Sequence, residues 1–395
     1  MPYRADMADR TSLERLRAAN RRAVLGALLT DGPQSRADLA RSTGLSRTTV
    51  SSLVQDLIEH GLAVETTDRG RPHKGGSGRP PLLVAATSAR GGVAGIDIGH
   101  HHVRVAVADR SGVVLAEDVQ PVDVDDHGSA TLDRATRMVR SLARASGREV
   151  ADLRGVGLCV PAPIDRRSAQ IRSGILPGWH DLVPTDELQE RLGIPVAADN
   201  DANLGALAEL HHGAAHGVGD FVYLKLASGV GAGLVLGGRL YRGATGIAGE
   251  IGHVQILEHG RVCRCTNRGC LETEVSVPRL LELLEPAYDE TLTVDRVLAL
   301  EAEGDAGVRR VLGDAGRTVG RALADLCNSI NPSLVVVGGP LGSAAPLVEG
   351  VRASLDRYAQ PATAAAVRVA SAALGARAEI TGAIAMAIAR AALEE

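Results

Sequence analysis

Gly249-Glu250-Ile251-Gly252-His253, Cys263-Arg264-Cys265 and Gly269-Cys270-Leu271-Glu272 all fall within residues 249–272. Three of the five cysteines lie within eight residues, and a histidine stands ten residues ahead of the first. Thiolates joined by an imidazole are the donor set of a tetrahedral Cys3His zinc site. His253, Cys263, Cys265 and Cys270 are therefore the expected ligands of one Zn2+ per chain. Glu250 and Glu272 bracket these ligands, so a bound metal would also hold two carboxylates in place beside a cleft. The plainer alternative is a structural zinc knot that staples a loop and does nothing else.

The 395 residues are too many for one ordinary core and imply two or three domains. A chain with 45% hydrophobic and 23% charged residues has the composition of a soluble globular protein. No apolar run approaches a membrane span, and Met1-Pro2-Tyr3-Arg4-Ala5-Asp6 lacks the apolar core of a signal peptide. A cytoplasmic location and no membrane partner are expected, and reduced thiols there favour metal binding over disulfides. Cys159 and Cys327, outside the cluster, read as small buried hydrophobes. Charge is uneven. Residues 1–90 hold 14 Arg and Lys against 9 Asp and Glu, whereas the remainder holds 29 against 38. A basic head on an acidic body points to a polyanion-binding module joined to one that binds small molecules. Lysine occurs only at 74 and 225; every other basic residue is arginine.

In the head, residues 12–29 carry apolar side chains at helical spacing until Asp31-Gly32-Pro33 stops them. Ser35 and Asp38 form a capping pattern that opens a second helix. Gly44-Leu45-Ser46 makes the turn, and Ser46 can cap a third helix with Val50, Leu53, Val54, Leu57 and Ile58 as its apolar stripe. Arg47, Thr48, Thr49, Ser51 and Ser52 then lie on or near the free face of its first turns, and Ser46, Arg47, Thr48, Thr49 and Ser51 are the candidates for DNA contact. These are the parts of a helix-turn-helix whose second helix enters the major groove N-terminus first; a plain three-helix bundle is the alternative. Residues 62–66 and 81–85 read as two strands around a basic, glycine-rich tip. That hairpin is expected to be a wing in which Arg71 or Arg79 reaches the minor groove, or else an interdomain linker.

The body opens with Val93-Ala94-Gly95-Ile96-Asp97-Ile98-Gly99, a turn, and two further strand-like runs at 103–109 and 113–115. Helix 130–145, strands 155–160, 195–199 and 220–227, a glycine-rich turn 228–233 and strand 334–337 follow. This alternation predicts an α/β body of two lobes with a cleft between them, opening as an actin-like ATPase lobe does. The expected division is a head at 11–89 and a body at 91–395, with lobes at about 91–199 plus the C-terminal helix and at 200–380.

Asp199-Asn200-Asp201-Ala202-Asn203, the 249–253 motif and Cys263-x-Cys265-x4-Cys270-x-Glu272, in this order, resemble the ROK family of sugar kinases and transcriptional repressors. The likeness covers residues 91–395, and the head matches the repressor branch. The resemblance implies that Asp201 stands at the position of the kinase base. It also implies that Asn200, Asp201, Glu250, His253 and Glu272 bind sugar hydroxyls, and that His253 with the three cysteines holds the zinc. Three departures bear on function. The family's kinases open with DxGGT, whose glycines and threonine serve the phosphates, where this chain has Asp97-Ile98-Gly99-His100-His101. Imidazoles there would crowd the phosphate path. Ile175 replaces the usual Asn of the segment ending Leu176-Pro177-Gly178-Trp179, and Thr266 replaces the Gly that follows the second cysteine.

The resulting expectation is a regulator, most simply a repressor, of carbohydrate metabolism. It would bind operator DNA under the control of a sugar or sugar derivative and perform no catalysis, as a homodimer or homotetramer matched to paired half-sites. Two other readings stay open: an active ATP-dependent sugar kinase, and a zinc-stapled DNA-binding protein that needs no ligand.

Overall fold

The structure, a computed structural model, describes residues 17, 20, 21, 23–28, 32–59, 62–69, 82–86, 91–171, 175–179 and 182–394. The wing tip with Arg71 and Arg79 lies outside these residues, as do Ser173 and Gly174.

In the head, Ser35 caps the helix Arg36–Thr43 by accepting the Asp38 N–H at 3.2 Å. The αL residue Gly44 ends that helix. Ser46 then caps the helix Arg47–Glu59 through the Thr49 N–H at 3.1 Å. Val50, Leu53, Val54 and Leu57 are buried along one stripe and meet Val24, Leu25, Leu28 and Leu39 in a closed core. Strands β2 (Ala63–Arg69) and β3 (Leu82–Ala86) pair antiparallel as the expected wing. A two-residue strand that sequence periodicity is too short to reveal, β1 (Gln34–Ser35), adds to β3 and ties the wing to the helices.

The body holds two five-stranded sheets of the same design. The first has the order β6-β5-β4-β7-β8, built from β4 (Gly92–Ile98), β5 (His102–Asp109), β6 (Val114–Pro121), β7 (Leu153–Val160) and β8 (Val196–Asn200). The second has the order β11-β10-β9-β12-β13, built from β9 (Phe221–Leu226), β10 (Val230–Leu236), β11 (Arg239–Tyr241), β12 (Leu334–Gly338) and β13 (Arg368–Ser371). In each, three strands run antiparallel and two more join in parallel through helical crossovers. Parallel central strands need apolar residues on both faces, and β4, β12 and nearly all of β7 are buried. Ligands of such sheets bind beyond the carboxyl ends of the strands. That is where Asp97 (β4), Asp201 (just after β8) and Lys225 (β9) stand.

One local reading changes. The glycine-rich run 228–233 is mostly strand: the turn is confined to residues 227–229, and Gly231 and Gly233 belong to β10. The C-terminal helix Ala378–Glu394 packs on the first sheet, placing Ile380, Ile384 and Ala387 against Val93, Ala106 and Ala108.

Candidate functional site

The metal-ligand candidates converge. Cys265 and Cys270 Sγ are 3.7 Å apart, and Cys263 Sγ is 3.6 Å from His253 Nδ1. All four donor atoms lie within 4.8 Å of one another. Sulfurs bound at about 2.3 Å to a tetrahedral ion sit about 3.8 Å apart, so the donors are already at the spacing of a shared cation. Burial, and then the neighbouring Cys265 and Cys263 thiols, push the Cys270 thiol up to about 12. The backbone that holds them is constrained. Gly249 has φ +94°, and a Cβ there would run into the Ala232 carbonyl. Thr266, at the place where glycine was expected from the family pattern, has φ +72°, a left-handed conformation that a β-branched residue strongly resists.

The acidic candidates stand near one another and near the cluster but do different local work. Asn200 caps the helix Asp201–His212, its Oδ1 accepting the Asn203 N–H at 2.9 Å. Asp201 Oδ1 accepts the Ala202 N–H, and its Oδ2 is 2.9 Å from Lys225 Nζ. Glu272 is buried; Oε2 accepts the Val230 N–H at 3.0 Å, and Oε1 is 3.7 Å from Arg264 Nε. Glu250 Oε2 is 3.6 Å from His253 Nε2, beyond direct hydrogen bonding. Burial, with Asp201 and Glu272 nearby, raises the Glu250 carboxyl to about 7.

The structure adds residues that sequence reading did not single out. Asp199 is a hub: it accepts from Asn203 Nδ2 at 2.7 Å and from Arg242 Nε at 2.6 Å. Lys225 Nζ, besides its contact with Asp201, is 2.8 Å from Glu379 Oε1 on the C-terminal helix. Burial works against the Lys225 ammonium, but Asp201, Glu379, Cys159 and Asp97 together raise its pKa well above the ordinary lysine range. At the DxG segment two imidazoles are paired with carboxylates. His100 is drawn aside to Asp125, with Nδ1 2.6 Å from Oδ1, and the ring that reaches Asp97 belongs to His102, with Nε2 3.2 Å from Oδ2. Trp179 is fully buried and donates from Nε1 to the Val124 carbonyl at 2.9 Å, so it supports the lobe's core.

In the head, Arg47, Thr48, Ser51 and Ser52 are exposed on the first turns of their helix, and Thr49 is half-buried. Ser46 is exposed, but its hydroxyl is already engaged with Thr48 and Thr49.

Comparison with known proteins agrees with these two halves. The ROK family model matches residues 93–390, and the MarR family model matches residues 19–71. A xylose repressor of Bacillus subtilis (strain 168) is 30% identical over 343 residues, covering 87% of each chain. A glucokinase of Halalkalibacterium halodurans is 30% identical over 304 residues, 73% of this chain and 92% of its own. The crystal structure of a ROK family transcriptional regulator, a homologue of the Escherichia coli Mlc protein, superposes with a TM-score of 0.79 at 24% identity, over 96% of this chain and 97% of that one.

Proposed function

The chain belongs to the ROK family, and on that footing we propose that it is a transcriptional repressor whose operator affinity is set by a sugar or sugar derivative. Residues 11–89 form the DNA-binding unit and residues 91–395 the ligand-binding unit. The observation that carries this reading is the likeness to a repressor over 87% of both chains, more than the body alone can supply, whereas the likeness to the glucokinase covers 73% of this chain. Arg47, Thr48, Thr49 and Ser51 face the major groove, with Ser46 fixing the helix that presents them, and Arg71 and Arg79 serve the wing. Asn200, Asp201, Glu250, His253 and Glu272 surround the sugar: carboxylates, an amide and an imidazole suit hydroxyls that both donate and accept.

The ion assigned to His253, Cys263, Cys265 and Cys270 is zinc. Once bound, it would contribute charge and tie the four residues together, with no redox chemistry. With the ion bound, His253 would be fixed beside Glu250, and the start of the helix that carries Glu272 would be anchored. A dimer is the assembly expected for paired half-sites.

The test is direct. A duplex selected from a random pool by the protein itself is titrated with and without free and phosphorylated aldoses, xylose and glucose among them. A sugar that changes operator affinity supports the reading. Sugar-dependent ATP consumption supports an active kinase, and operator binding indifferent to every sugar supports a zinc-stapled protein that needs no ligand.

A further inference from the structure

We infer that Lys225 couples the sugar-binding carboxylate Asp201 to the DNA-binding head, by pairing with Asp201 on one side and with Glu379 of the C-terminal helix on the other. The inference rests on the reading of Asp201 as a sugar-binding residue. Its geometry is a bridge: Nζ is 2.9 Å from Asp201 Oδ2 and 2.8 Å from Glu379 Oε1. Both sites are largely closed to water, with the Lys225 and Glu379 side chains 15% and 11% exposed. In such surroundings an ammonium cannot be left without compensating charge. A sugar hydroxyl that takes up Asp201 Oδ2 competes with Lys225 for the same oxygen, and the cation must lean more heavily on Glu379.

Glu379 lies in the first turn of the helix Ala378–Glu394. The helix is seated closely enough to move with the cleft: a Cβ at Gly382 would collide with the Leu204 carbonyl of the helix that Asp201 begins. Thirteen residues beyond Glu379, about 20 Å along an α-helix, Ala392 packs against the apolar core of the head. The contact between head and body is incompletely filled. A cavity of about 330 Å³ lies there, lined by Leu25 and Gly26 of the head and by Ile384, Ile388 and Ala389 of the helix. An interface with unfilled space has more than one way to pack, which is what a shift between two head positions requires. Lysine also suits the position better than the arginine this chain uses almost everywhere else, because a compact point charge on a flexible stem can be shared between carboxylates on different elements.

The test is a double-mutant cycle read on operator affinity without any sugar, using a duplex selected by the wild-type protein. Asp201→Asn and Glu379→Gln keep side-chain shape and remove the charge that holds one end of the bridge. If Lys225 couples the sites, Asp201→Asn changes the operator Kd at least fivefold in the wild-type background and less than twofold in the Glu379→Gln background. Equal shifts in both backgrounds, including no shift in either, overturn the inference. Lys225→Met provides a second reading: in that background neither carboxylate substitution shifts the Kd by more than twofold, and a shift of wild-type size overturns the coupling. Non-additivity in this cycle with an operator Kd indifferent to xylose and glucose sustains the coupling and removes the sugar reading; additivity with a sugar-responsive Kd does the reverse.

Discussion

The carboxylate of Glu272 accepts the backbone N–H of Val230 at 3.0 Å, across 42 positions of sequence. Glu272 follows the last cysteine of the metal cluster by two residues, and Val230 opens β10 just after the tight turn of the second lobe. The cluster and the β9–β10 hairpin are therefore mechanically joined. An ion that fixes the sulfurs also fixes one wall of the cleft.

This link gives the first prediction. Protein purified without chelator should contain one zinc per chain. Its removal, or Cys265→Ala, should lower the melting temperature by more than about 5 °C, at roughly 2–4 °C per kcal/mol for a domain of this size. Amide exchange at Val230 should accelerate in parallel. Metal analysis alongside exchange mass spectrometry checks both; a metal-free protein with unchanged melting and exchange would remove the cluster from any structural role.

Thr266 offers a gain of stability. Its φ of +72° places a β-branched residue in the left-handed region, a strain on the order of 1–3 kcal/mol that glycine does not incur. Thr266→Gly should raise stability by about 1 kcal/mol after glycine's greater unfolded-state entropy is subtracted, and Thr266→Val should not. Denaturant midpoints of the two variants decide the matter, and equal midpoints would show that the strain is relieved in another way.

What could be read in the sequence divides along physical lines. The caps at Ser35 and Ser46, the stripe from Val50 to Leu57 and the Cys3His cluster were legible because each is set within a few residues, by hydrogen-bond reach or helical period. The Lys225 bridge was not, since Glu379 reaches it only once the C-terminal helix folds back on the first sheet. The pairings of His100 with Asp125 and of His102 with Asp97 were not legible either, because side-chain direction is not encoded locally. The run 228–233 looked like a turn because glycines punctuate turns. At Gly233 the missing side chain instead lets β10 approach the backbone of Ala202.

Arg47 is exposed on the first turn of the helix proposed to enter the major groove. Arg47→Ala should weaken binding of the selected duplex by about 1–3 kcal/mol and relax preference at one base pair if the guanidinium reads guanine. Competition with single-base variants of the duplex distinguishes this from a phosphate contact, which would weaken all sequences alike. Unchanged affinity would place the recognition face elsewhere.

The junction of head and body should be sensitive to acid. His211 and His212 line its cavity, and burial, together with neighbouring histidines, lowers both below the ordinary histidine value. Such groups stay neutral in the folded protein at a pH where the unfolded chain takes up protons. Their contribution to stability is thus present above about pH 6.5 and is lost as pH falls through the depressed folded values. The urea midpoint of the His211→Gln/His212→Gln variant should fall less between pH 7.5 and 5.5 than that of the wild type. Parallel curves for the two proteins would assign the acid sensitivity to other groups.

A final prediction concerns the kinase alternative. Phosphoryl transfer to a sugar needs Asp201 to take a proton from the attacking hydroxyl, yet its Oδ2 already faces the Lys225 ammonium at 2.9 Å. Asp97, at the end of β4, is engaged by His102 at 3.2 Å. Raising the pH should not free Asp201, because the surrounding carboxylates hold the Lys225 pKa well above the ordinary lysine range and the cation persists in alkaline solution. Steady ATP consumption with xylose or glucose should therefore stay at least a thousandfold below the roughly 1–100 per second typical of kinases, from pH 7 to pH 9. Lys225→Met alone should not restore it, since Asp97 remains paired with His102. A sugar-dependent rate within the normal kinase range, abolished by Asp201→Asn, would show that Asp201 acts as a base despite the nearby Lys225 ammonium and that the body is an enzyme.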